Sequence, residues 1–219
     1  MRNPYLMLLK YRKILLHDLS NLTSIPEEVL IDKLREIKNI ISIRDHEIIV
    51  EKPLELALYL LRKGLSFKEV SRYIDWRDFE KVTAEILGSH NYVILTNLIV
   101  TKPVRFEIDV IGVDTGSGRG IFIDCKHWSR GVSRSSLIDI ISKHVERINK
   151  FVRYFNWVKN KWIYFRYLRE IIPVIVTLTT PSIRVYDNVL VVSIQEFNQF
   201  LTDIYRVLEI LDLKPVKIK

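Results

Sequence analysis

The sequence has a single cysteine, Cys125, among its 219 residues. No internal disulfide can form, and the composition fits a reducing, cytoplasmic setting. No apolar run approaches the roughly 20 residues that a membrane span requires, so no membrane role is expected. The opening segment, MRNPYLMLLKYRK, lacks the long apolar core and the small-residue cleavage site of a signal peptide. Internal repeats and low-complexity tracts are missing as well. Acidic residues are scarce in one stretch: residues 126–169 hold 11 Lys and Arg but only two Asp and Glu. That stretch more than accounts for the net charge of +8, whereas residues 1–75 are nearly balanced, with 13 basic and 11 acidic side chains. A concentrated positive field attracts a polyanion such as nucleic acid. A solvated basic helix face gives the same count.

What is present is an ordinary globular composition, 48% hydrophobic and 27% charged. Apolar spacing predicts a helix over residues 4–16. Ser24-Ile-Pro-Glu-Glu28 is a helix start, with a capping serine, a proline in the first turn and two acids at the positive end. The alternating segment 41–51 around Arg44-Asp45-His46 reads as a hairpin. Pro53 opens a further helix that Gly64 ends, and Ser66 caps another. Helices followed by a hairpin predict a small winged helix-turn-helix-like α+β domain over residues 1–75, with residues 26–38 as the groove helix. Its small net charge leaves DNA reading, protein interaction and a plain scaffold all open.

From residue 76 the pattern changes. An amphipathic helix (76–88) precedes strand-like runs at 91–100, 106–113 and 121–126. A long basic, aromatic helical stretch covers about 134–169. Apolar strands at 171–178 and 189–194 and a closing helix complete an α/β order with a mixed sheet flanked by helices. Within the hairpin RFEIDVIGVDTGSGRGIFIDCKHWSR (105–130), Asp109 and Asp124 interrupt runs that should be uniformly apolar, and Lys126 follows at once. Residues two apart on a strand share a face, so Asp124 and Lys126 point the same way and Cys125 points away. Antiparallel pairing brings Asp109 beside Asp124. Two adjacent carboxylates repel and are costly to desolvate. A divalent cation relieves that conflict, and a lysine beside it orients water or stabilises charge on phosphate. These are the parts of metal-assisted phosphodiester hydrolysis. A buried Asp–Lys ion pair is the plainer alternative. The GSGRG segment at 116–120 reads as a hairpin turn rather than a phosphate loop.

Glu80 in DFEKV, Asp109 in EIDVIG and Asp124-Cys125-Lys126 in IFIDCKHW resemble the PD-(D/E)xK nuclease signature, as in Mrr-type restriction endonucleases and archaeal Holliday junction resolvases. The resemblance covers about residues 76–200 and implies a restriction-endonuclease-like domain over 76–219, a Mg²⁺ or Mn²⁺ cofactor and DNA backbone cleavage. It also implies roles: Asp109, Asp124 and the Cys125 carbonyl as metal ligands, Lys126 as the catalytic lysine, and Glu80 as the helix carboxylate completing the site. Glu85 lies one turn on, but Glu80 follows Phe79 as in the family pattern. Ile108 stands where the signature has Pro, Asp124 where Glu is commoner, and His144 where relatives often have Gln. His127, Arg130, Lys143, His144, Arg147 and Lys150 are candidate DNA contacts. The aromatic run 151–168 stacks bases or packs the core.

The expected function is therefore a metal-dependent DNA endonuclease acting in restriction, repair or recombination. Its rivals are a non-catalytic DNA-binding or assembly protein that keeps the fold, and a resolvase of branched DNA. A homodimer, which would set two sites on two strands, is left open.

Overall fold

The computed structural model describes residues 2–126 and 132–218, with the backbone alone at Phe67, Lys68, Ser71 and Trp76. The chain divides into two compact units, Met1–Asp78 and Phe79–Lys219.

In the first unit Asn3 caps helix α1 (Pro4–Tyr11) by accepting the Leu6 N–H at 3.1 Å. The helix predicted over 4–16 stops early. Arg12 takes φ 63°, a left-handed conformation, and Lys13–Leu15 becomes strand β1. The break is set by sheet pairing rather than by local propensity: the Val50 N–H donates to the Arg12 carbonyl and the Leu16 N–H to that of His46. Helices α2 (Leu16–Thr23) and α3 (Glu27–Leu34) follow, then strands β2 (Ile41–Arg44) and β3 (Glu47–Val50). Asp45 and His46, both at positive φ, make the two-residue turn whose twist matches a hairpin. The three-stranded antiparallel sheet has the order β1-β3-β2. Helices α4 (Pro53–Arg62) and α5 (Phe67–Val70) complete this unit, whose core includes Leu8, Leu19, Leu30, Leu34, Ile48 and Leu54.

Helix α6 (Trp76–Ser89) contains the division between the units. The second unit holds strands β4 (Val93–Val100), β5 (Phe106–Asp114) and β6 (Arg119–Lys126), then helices α7 (Arg134–Arg153) and α8 (Phe155–Val158). Next come β7 (Glu170–Thr177), β8 (Val185–Tyr186), β9 (Val189–Ser193), α9 (Ile194–Thr202), α10 (Ile204–Ile210) and β10 (Val216–Lys217). The seven-stranded sheet is mixed, in the order β4-β5-β6-β7-β9-β8, with β10 on the free start of β7. Strands β6, β7 and β9 run parallel, so β7 and β9 are buried along nearly their whole length, as their unbroken Val and Ile content requires. The helical stretch expected over 134–169 is one continuous helix only to Arg153 and is carried on by α8. Short turns then fold Phe165 back onto Phe151, and Phe151 meets Phe122 edge-on at 4.7 Å. On α6, Leu87 comes so near β5 that a Cβ at Gly112 would stand 2.4 Å from it, so only glycine allows this approach.

Helix α9 starts on a capping box. The Ser193 hydroxyl and N–H both meet Glu196, and Arg184 clamps the same carboxylate at 2.6 and 2.8 Å. Arg184, aided by Ser193, holds the Glu196 pKa down at about 2. A depressed folded-state pKa gives stability that is present above the unfolded value of 4.5 and lost as pH falls toward 2. Both side chains are more than 40% exposed, so water screens the pair. Glu196→Gln is expected to cost about 1 kcal/mol at pH 7, the gap from the parent closing as pH drops. Urea unfolding across this pH range checks it.

Candidate active site

The central strand β6 ends on Asp124, Cys125 and Lys126, between β5 and β7. Asp109 comes from β5, directly across in register, at a place where both neighbouring ladders lapse. The β4–β5 pairs include Thr96 with Val110 and Leu98 with Ile108 but skip Asn97, which takes φ 54°. The β5–β6 pairs begin only at Val110 with Ile123. The Asp109 side chain fills the gap, its Oδ2 accepting the Cys125 N–H at 2.7 Å. Local strand irregularity thus frees a side chain from the pleat, a device common beside functional sites.

Asp124 is 2% exposed and is held on both sides. Arg147 of α7 donates from Nη1 to Oδ1 at 2.7 Å. Lys126 sets Nζ 2.7 Å from Oδ2, as an ion pair without the alignment of a hydrogen bond. Asp109 has no such cation in contact among the described residues. Burial first, and then the Asp124 charge, push its pKa up to about 6, against the Cys125 N–H, Lys126 and Arg147. Glu80, buried on α6, is pushed up to about 7 by burial and then by Asp109 and Glu107, with Lys126 opposing. Glu80, Asp109, Asp124 and Lys126 are therefore within electrostatic reach of one another. Glu85 is exposed on another face of α6.

Among the described residues the cluster holds more carboxylates than the two cations facing it can neutralise, and burial, with this repulsion added, raises the acid pKa values. Oxygen donors of this kind suit a hard divalent cation. Among the described residues, no three His, Cys, Asp or Glu side chains stand as a ready-made metal cage. Mg²⁺ takes one or two carboxylates and completes its shell with water and phosphate, so Asp109, Asp124 and the Cys125 carbonyl, with Glu80 near, fit that need.

The other sequence candidates fall out differently. His127 and Arg130 lie outside the described residues. His144, expected as a DNA contact, is completely buried and donates from Nε2 to the Phe122 carbonyl at 3.1 Å, a tautomer inferred from that acceptor. Burial pushes its pKa down to about 4, so the ring is neutral and closed to phosphate. Its spacing along α7, with Leu137, Ile141, Ile148 and Phe151, is that of the core stripe. Arg147, expected on DNA, turns inward to Asp124. Its position three residues after His144, on the same side of the helix, carries that signal. Lys143 and Lys150 are in surface pairs with Asp139 (2.8 Å) and Glu146 (2.6 Å), so acids one turn away offset their charge. Cys125 is half-buried as a residue, but its sulfur is enclosed and burial raises the thiol pKa well above its ordinary value. The GSGRG segment is a turn, its Gly116 N–H and Ser117 hydroxyl both bound to Asp114.

Residues 71–151 match the family model Mrr_cat, described as restriction endonuclease. That match, over about a third of the chain, takes in the helix, hairpin and following helix that build this cluster, and is a likeness to restriction endonucleases. Among solved structures, protein VC1899 from Vibrio cholerae is 14% identical with a TM-score of 0.36, covering 94% of this chain and 51% of its own. The restriction endonuclease FokI is 14% identical with a TM-score of 0.40, covering 93% and 43%. The chain spans about half the length of these structures. No curated protein matches it.

A carboxyl whose folded-state pKa is raised destabilises the fold once ionised, so stability falls as pH climbs from the unfolded value of 4.5 toward 7 for Glu80. With EDTA present, Glu80→Gln is expected to melt above the parent at pH 8 and with it at pH 4.5. Differential scanning calorimetry at the two pH values reads this. A melting point that drops at pH 8 contradicts the strained carboxyl.

Proposed function

We propose that the chain is a metal-dependent DNA endonuclease, with residues 76–219 as the nuclease domain and residues 1–75 as a winged-helix-like domain. The supporting observation is the juxtaposition of Glu80 on the buried side of α6, Asp109 within β5, and Asp124 and Lys126 at the end of β6. Asp109, Asp124 and the Cys125 carbonyl would hold Mg²⁺ or Mn²⁺, with Glu80 as a further ligand. When bound, such an ion draws charge from the scissile phosphate and acidifies water. Lys126, now on Asp124, would face the phosphate and stabilise the charge that builds on its oxygens. Asp109 accepts the Cys125 N–H and so fixes the Asp124–Cys125 peptide within the site. Arg147 holds Asp124 in place until phosphate and metal enter. In the first unit, the order helix, strand, two helices and hairpin is that of a winged helix and supports α3 as the groove helix.

A second reading has its own observation. Both oxygens of Asp124 are already occupied by cations, as in a structural ion pair. On that reading the protein binds DNA without cutting it.

The two separate in one experiment. Purified protein is incubated with linear, nicked, single-stranded and four-way DNA in Mg²⁺, Mn²⁺ or EDTA. The parent is expected to cut with metal and not with EDTA. Asp124→Asn and Lys126→Ala are each expected to lower the rate by at least about 100-fold, while Asp124→Asn keeps or slightly gains DNA affinity because a charge facing phosphate is gone. A parent that binds DNA and cuts no form in either metal establishes the second reading. Variants that cut like the parent place the activity elsewhere.

A further inference from the structure

Beyond the acid cluster, the segment between α7 and β7 carries a built surface of another kind. Residues 151–168 hold eight aromatic residues and four cations but no acid. The fold buries some of these rings, leaves Tyr154, Phe155, Trp162 and Tyr164 half-buried, and exposes others. Phe151 and Phe165 are completely buried and pack with Phe122. Trp157 and Tyr167 remain 41% and 42% exposed, with Ile163 at 61% between them. Each exposed ring has a cation over one face: Lys161 Nζ is 4.6 Å from the Trp157 centroid, and the Arg166 guanidinium 5.5 Å from that of Tyr167. Beside them opens a cavity of about 640 Å³ lined by Phe155, Lys159, Asn160, Ile163 and Arg166, within the size range of small-ligand sites.

The cations here have no carboxylate partner among the described residues. Lys159 reaches only the Asn156 amide oxygen and Arg166 the Ile163 carbonyl. The nearest acid along the chain, Glu170, is already taken by Arg119 and Lys217. This contrasts with α7, where Asp139 and Glu146 neutralise the neighbouring lysines. Unpaired cations alone fit any polyanion. Cations interleaved with solvent-facing rings fit a polyanion that also offers flat faces, which unpaired bases do and a closed duplex does not.

From these observations we infer that the surface formed by Trp157, Lys159, Lys161, Arg166 and Tyr167 is a binding site for an unpaired strand of DNA. It deepens the DNA reading above and rests on it for the choice of DNA. The site is separate from the acid cluster. It leads into β7 at Glu170, which pairs with Arg119, five residues before Asp124 on β6 and so roughly 17 Å away along the strand. It would hold a displaced or single-stranded segment several nucleotides from the scissile bond.

The test is equilibrium binding in EDTA, read by fluorescence anisotropy, with a labelled single-stranded oligonucleotide and its duplex. Trp157→Ala is expected to weaken single-strand binding about tenfold and to leave duplex binding nearly unchanged, with Trp157→Phe restoring most of the loss. Replacing Lys159, Lys161 and Arg166 together by Gln should flatten the slope of log K against log salt for the single strand by about 2. These three side chains are exposed, so this variant carries the test should Trp157→Ala melt below the parent. Equal losses on both DNA forms from Trp157→Ala, or an unchanged salt slope in the triple variant, overturns the inference. Because no cleavage is read, a chain inactive in every metal sinks the endonuclease proposal and leaves this site standing.

Discussion

The second unit turns on one buried charge, the Asp124 carboxylate, at 2% exposure between Lys126 and Arg147. Removing one partner of a fully buried ion pair costs about 3–5 kcal/mol, because the other charge is stranded. Arg147 is 29% exposed and Lys126 24%, so water reduces that figure here. The pair dictates its surroundings. Helix α7 must lie close enough to β6 for Arg147 to reach, and Phe122, Phe151 and His144 fill the space beneath it. His144, neutral and enclosed, ties the helix to the Phe122 carbonyl at the point where a charged ring would repel Arg147.

The same charge sets the state of its neighbours. Asp124 helps push Asp109 up toward pH 6, and Asp109 in turn helps raise Glu80 to about 7. Three carboxylates share two cations, and near neutral pH the last proton is loosely held.

The candidate site residues stood out in the sequence because they break a pattern. Asp109, Asp124 and Lys126 interrupt apolar strands, and no burial argument predicts acids there unless something compensates them. The first-unit hairpin was readable from the Asp45-His46 turn, and the parallel strands from their unbroken Val and Ile content. What escaped was decided by distant pairing. Lys13–Leu15 is too short to announce a strand and becomes one only against β3. The helical pattern after Arg153 does not show that Phe165 must fold back on Phe151. Arg147 and His144 carry polar names on a helix rich in charge. Which of them faces inward depends on a stripe shared with Leu137, Ile141 and Ile148, and on an acid 23 residues earlier in Arg147's case.

The central claim is that Asp109 within β5, and Asp124 and the Cys125 carbonyl at the end of β6, form a divalent-cation site. Paramagnetic line broadening by Mn²⁺ in amide NMR spectra tests it without any substrate. At the lowest Mn²⁺ additions, the amides of Asp109, Val110, Asp124 and Cys125 are expected to broaden first, with Mg²⁺ reversing the effect. Broadening that begins at some other acidic surface, or that spares these four amides at saturating Mn²⁺, would contradict the account.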